Sequence, residues 1–103
     1  GQDSAAKSDA RNMVSQVESC YATNQNYSLC DTDTALSSDG PTGLDWGTGN
    51  GQVSVTASAT NSYTIEAVSK NGHQFDVVKP AGGAVSRTCT PTGAGACPSS
   101  GNW

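Results

Sequence analysis

A chain of 103 residues, 34% hydrophobic and 14% charged, is sized for one small domain with a modest core, which excludes a multidomain enzyme. Nine acids against five bases give a net charge of −4 and a pI near 4.5, so the basic surface that binds nucleic acid or an anionic membrane is not expected. No run approaches the roughly 18 apolar residues of a membrane span, and the first 30 positions hold no apolar signal-peptide core, so the chain as given is expected neither to cross a membrane nor to carry such a signal.

From Asp3 to about Thr23, Ala6, Ala10, Met13, Val14, Val17 and Tyr21 recur at intervals of three and four. That spacing places them on one face of an α-helix, with Lys7, Arg11, Gln16 and Glu18 off the stripe. No Gly or Pro interrupts the run, so about 20 residues extend roughly 30 Å. The stripe is expected to pack on a sheet.

Residues 24–52 read as a long ordered loop. The stretch from Asp31 to Gly51 carries five glycines, one proline and four aspartates with no sustained period. Leu36, Leu44 and Trp46 are the side chains able to pin it to the core, each worth roughly 1.5 to 3 kcal/mol when buried.

At Val53 the period changes to two. Val53, Val55, Ala57 and Ala59 alternate with Ser54, Thr56 and Ser58, which predicts a half-buried strand. Tyr63, Ile65 and Ala67 form a second alternation and Phe75 and Val77 a third, with Asn71-Gly72 between them as a type I′ hairpin signal. Pro80 and Gly82-Gly83 break the chain before a short run from Val85 to Thr90. Three or four strands over residues 53–90 then form an antiparallel meander, and the tail to Trp103 is turns. The fold class is α+β, in one domain.

Four cysteines fall as two local pairs, Cys20 with Cys30 and Cys89 with Cys97. Their intervals fit no zinc knuckle, and His73 is the one histidine. In a small domain with a thin core they read as disulfides, implying an oxidising, extracytoplasmic compartment. Of three connectivities, Cys20–Cys30 with Cys89–Cys97 is favoured because each closes a short, turn-rich loop. Such a bridge is worth roughly 2.5 to 3 kcal/mol at most.

Chemistry-bearing patterns are sparse. His73 follows the predicted hairpin turn, where a solvated side chain without a role is expected. No G-x-S-x-G elbow presents a serine, and the two glutamates, Glu18 and Glu66, lie on different elements, so acid/base or nucleophilic catalysis is not expected. Gly47-Thr48-Gly49-Asn50-Gly51 lacks the lysine and helix of a phosphate loop. Asp31, Asp33 and Asp39, with Asp45, are weak calcium candidates, since hard calcium takes oxygen ligands, but their spacing completes no EF-hand. The plainer reading is a set of solvated carboxylates, with no cofactor required.

The residues also resemble a family. Ala5-Ala6-Lys7-Ser8-Asp9-Ala10, continuing through Met13-Val14 to Val17-Glu18-Ser19-Cys20-Tyr21 and followed by Asn26-Tyr27 and Cys30, is similar to the soluble part of a bacterial type IV pilin or type II secretion pseudopilin. The ending, with Cys89, Gly93, Gly95, Cys97 and Trp103, is similar to such proteins too. The resemblance implies that Gly1 begins partway down a long spine helix. An apolar half would precede it, anchoring the chain in the membrane before assembly. It implies that Ala6, Ala10, Met13, Val14 and Val17 pack on the sheet, and that Cys89 and Cys97 hold the tail loop. It further implies a cell-surface filament of copies of the chain and minor pilins, with surface receptors as further partners and roles in adhesion, twitching, DNA uptake or secretion. The leader-peptidase site and early glutamate of the family have no counterpart among these residues. A stand-alone secreted binding module is the alternative, and a small secreted enzyme a weaker one.

Overall fold

The computed structural model describes all residues, 1–103. Helix α1 spans Gln2–Asn24 and is followed by a 3₁₀ turn, Tyr27–Leu29, and a short helix α2, Asp33–Leu36. Four strands complete the chain: β1 Val53–Ala59, β2 Ser62–Val68, β3 Gln74–Lys79 and β4 Ser86–Thr90. They form one antiparallel sheet in the order β1-β2-β3-β4. The fold is α+β, a long N-terminal helix on a four-stranded sheet, stapled by two disulfides. No helix is long and apolar enough to cross a membrane.

Helix α1 buries Asp3, Ala6, Ala10, Met13 and Val17, while Val14 and Tyr21 sit partly buried at the margins of that stripe. Three- and four-residue spacing keeps those positions over β2 and β3. The sheet meets them with Val53, Ala67, Phe75 and Cys89 in one cross-strand row and Ile65 and Val77 in the next. Alanines at 6 and 10 allow the helix to approach the sheet, and Met13 fills the wider gap. Gln25 ends the helix in the left-handed region at φ 54°, where its side-chain amide donates to the Tyr21 and Ala22 carbonyls. Those bonds satisfy acceptors that the helix end leaves open.

Three details depart from the sequence reading. The segment 24–52 is not all loop, because Asn26 and Thr32 cap the 3₁₀ turn and α2 through their side chains. Of its three expected anchors, Leu36 is buried and Leu44 and Trp46 only partly so. The β2–β3 connection is not a type I′ turn. Gly72 N–H donates to Ser69 C=O and Ser69 N–H to His73 C=O, and Gly72 alone has positive φ, at 89°. A tight turn over Lys70 and Asn71 followed by a left-handed glycine suits this longer loop. Val85 lies outside β4 and is 50% exposed.

The structure pairs Cys20 with Cys30 and Cys89 with Cys97, leaving no free cysteine. Both bridges fit an oxidising, extracytoplasmic setting. The second holds the tail against β4, where Gly101 C=O accepts from Cys89 N–H and Trp103 N–H donates to Arg87 C=O, covering the free edge of the sheet. Replacing Cys89 and Cys97 together by serine is expected to cost about 2.5 kcal/mol, the loop-closure value for so short a ring. A fall in the urea midpoint under non-reducing conditions, with Cys20–Cys30 intact, checks this. An unchanged midpoint would show that the tail's hydrogen bonds hold it unaided.

Candidate functional site

The densest polar cluster joins three distant parts of the chain. Asp3, in the first turn of α1, is 7% exposed, and its Oδ2 accepts from the His73 ring at 2.8 Å and from Ala96 N–H at 2.9 Å. Because a carboxylate only accepts, the proton lies on His73 Nδ1. His73 N–H in turn donates to Ser69 Oγ, which is hydrogen-bonded to Asn71. Burial pushes the Asp3 carboxyl up, but bonds from His73, Ala96 and Ser69 and the charge of His73 outweigh it and hold the pKa at about 2. His73 is therefore not the idle, solvated side chain its place after a turn suggests. It makes the chain's one contact of salt-bridge geometry, with Asp3.

Gly95 makes this junction possible. It sits at φ 56°, and a Cβ there would collide with Asp3 Oδ2 and stand 2.8 Å from the His73 ring. Only glycine lets the disulfide loop lie that close. Chemically the arrangement clamps helix start, β2–β3 turn and C-terminal loop together through one carboxylate. Ser69 meets the backbone of His73 and not its ring.

The aspartates of the long loop do not converge. Asp31 Oδ2 accepts from Ser58 Oγ at 2.8 Å and Asp45 Oδ1 from Gln52 Nε2 at 3.2 Å, while Asp33 starts α2 and Asp39 lines a groove beside Ser19 and Thr23 of α1. No three His, Cys, Asp or Glu side chains gather about one point. The calcium candidates Asp31, Asp33 and Asp39 are thus separate, because short elements and β1 each claim one of them. Asp9 is raised by burial and then by the charge of Asp45, which places acid on the β1 flank of the helix.

Around the other flank the charges are positive. Arg11 and Arg87 lie 5.3 and 5.2 Å from the centre of the Trp103 ring, and Lys7 lies 5.5 Å from that of Phe75. Trp103 meets Phe75 edge-on at 5.8 Å and donates from Nε1 to Thr88 C=O. At the far end of α1, Tyr27 stacks on Tyr21 at 4.1 Å and meets Tyr63 edge-on at 4.9 Å, with its hydroxyl donating to Glu18 at 2.5 Å. Burial first, and Glu18 second, push the hydroxyl of Tyr27 well above its usual range and that of Tyr63 to about 12.

Compared with protein-family models, curated proteins and solved structures, the chain gives no significant match. Its functional reading therefore rests on its own geometry. Sequence reasoning missed Asp3 and His73, whose 70-residue separation carries no local signal. It also missed the Glu18–Tyr27 bond, whose nine-residue spacing across a helix end becomes legible only once the Cys20–Cys30 turn is assumed.

Proposed function

We propose that the chain is the globular domain of a structural subunit of an extracellular, type IV pilus-like filament, assembled by bundling of helices that continue α1 toward the N-terminus. The carrying observation is the packing of one 23-residue helix along a four-stranded antiparallel meander, with a C-terminal disulfide loop closed over the helix start through Asp3. A spine helix must transmit load to its globular part, and the clamp at Asp3 ties it to both the sheet turn and the tail. The acidic, Ser- and Thr-rich surface suits an exposed filament exterior. Partners on this reading are further copies and minor pilins, with surface receptors beyond them. The chain's role is structural and not enzymatic.

The reading requires an apolar helical segment of about 20 residues ahead of Gly1. Determining the gene sequence upstream of the Gly1 codon is expected to show a short basic leader, a processing site and an apolar run in helical register with Asp3. Deleting the gene is then expected to remove surface filaments seen by electron microscopy. A conventional signal peptide ending near Gly1 would overturn the assembly reading and favour a secreted binding module.

A further inference from the structure

Helix α1 divides the charge of this chain between two sides. Sheet order puts β1 and β4 at opposite edges, and α1 packs mainly on β2 and β3 between them. On the β4 side Lys7 and Arg11, one turn apart on the helix, and Arg87 of β4 gather about the rings of Phe75 and Trp103. Three of the chain's five bases thus share one cluster, and none of them has a carboxylate in reach, since the one contact of salt-bridge geometry joins His73 to Asp3. Glu18, two turns farther along this side of the helix, is taken by the Tyr27 hydroxyl. Like charges gathered in this way repel, and contact with the aromatic rings offsets the repulsion only in part.

The β1 side has the opposite sign. Asp9 lies two residues from both Lys7 and Arg11, which turns it about 200° away from each of them around the helix axis. Burial first, and the charge of Asp45 second, raise its carboxyl, so these two acids stand near each other. The loop that carries Asp31, Asp33, Asp39 and Asp45 runs along the same side, where Asp31 accepts from Ser58 of β1 and Asp39 shares a groove with Gln16, Ser19 and Thr23 of α1. With Asp9, five of the nine acids lie here. Lys70 shares a second groove with Asp9 and forms no salt bridge with it.

We propose that the cationic cluster about Trp103 docks on the Asp9 and Asp45 side of a second copy of this chain. Charge complementarity names the occupant, because the acids that the three bases lack are carried on the opposite side of the same molecule. Tryptophan and arginine are also the residue types that most often anchor protein interfaces, and Trp103 is partly exposed between two arginines. Two different patches meet, so the contact is heterologous: each copy keeps one patch open, and copies add in series. A net charge of −4 on every copy keeps the association weak in solution, and it becomes strong where other contacts hold the copies together. The proposal deepens the filament reading by naming a side-to-side contact between subunits. It rests on that reading for the purpose of the contact only, since self-association is measured on the chain without a filament.

The test follows NMR shifts of the unaltered chain on dilution from about 2 mM to about 0.05 mM in about 50 mM NaCl. Shifts are expected on both sides at once, at Lys7, Arg11, Arg87 and the Trp103 indole and at Asp9 and Asp45, and are expected to vanish in about 0.5 M NaCl, where screening acts within a few ångströms. R87E and D45K, both at exposed positions, are each expected to weaken association by about tenfold or more, because like charges then face each other. K79E, with the same change of charge as R87E but away from the cluster, is expected to keep it. An equimolar mixture of R87E and D45K is expected to recover association, because each variant supplies the patch that the other has lost. No shifts on dilution, shifts on one side only, equal losses in K79E and R87E, or a mixture that stays monomeric would each overturn the assignment. Capture of polyglutamate at Arg11 and Arg87 by a chain that does not self-associate would also overturn it, making the occupant a different acidic polymer. A conventional signal peptide upstream would end the filament reading and leave all of these readouts in force.

Discussion

Replacing Phe75 with alanine is expected to destabilise the domain by about 3–5 kcal/mol, the largest loss available from one side chain in this fold. Phe75 is fully buried in β3, between Ala67 of β2 and Cys89 of β4, under the helix and edge-on to Trp103. Only 19 of 103 residues are buried, so few neighbours remain to collapse into the space it leaves. A domain of this size has a stability near the low end of the usual 5–15 kcal/mol, and such a loss leaves a large unfolded fraction at 37 °C. Phe75→Leu, which keeps most of the volume, is expected to cost markedly less. Urea titration followed by far-ultraviolet circular dichroism measures both. Equal midpoints for Phe75→Ala and the parent would show that the sheet, and not the helix–sheet layer, carries the stability.

Asp3→Ala is expected to cost about 2–4 kcal/mol, although it removes only a small side chain from the end of a helix. The substitution leaves the His73 ring N–H and the Ala96 N–H without their shared acceptor. The loss should be local as well as global, with the Ala96 amide losing its protection against hydrogen exchange while amides of β2 and β3 keep more of theirs. The acid dependence follows from the direction of the shift. Folding lowers the Asp3 carboxyl from 3.8 to about 2, so its contribution is complete above about pH 4 and is lost as pH falls toward 2. The stability difference between parent and Asp3→Ala should therefore shrink as pH falls below 4 toward 2. A difference that persists unchanged at pH 2 would assign the effect to packing and not to the carboxylate.

The two predictions draw on different kinds of information. Phe75 announces itself by alternation with Val77, and a residue on the helix-facing side of a strand is legible from period two. Asp3 does not. An acidic residue in the first turn of a helix reads as a favourable match to the helix dipole, and nothing nearby hints that its oxygen is buried against a tail more than 90 residues away. His73 misleads for the same reason, since a histidine after a turn is ordinarily solvated. Its role depends on Gly95 bringing the disulfide loop to within van der Waals reach of the ring.

A similar division runs through the sheet. The order of strands follows from their sequence and short connections, but the neighbours of Glu66 follow from register, which is a property of two strands at once. Shifting either pairing by one residue would move Asp76 to the helix side and away from Glu66. The aspartates cluster in the chain at residues 31–45, whereas the structure brings two carboxylates, Glu66 and Asp76, side by side from strands that each carry only one.

The sequence alone determined the class of fold: the helix stripe of Ala6, Ala10, Met13 and Val17, the alternating strands and the short disulfide-closed loops. These are local quantities, set by periods of 3.6 and 2 and by the entropy of closing nearby cysteines. The tertiary structure decided which charges meet. Asp3 with His73 and Ala96, Glu66 with Asp76 and Ser54, and Trp103 between Arg11 and Arg87 each join side chains from separate elements. Electrostatic energy depends on distance and burial in space, and neither is encoded by separation along the chain.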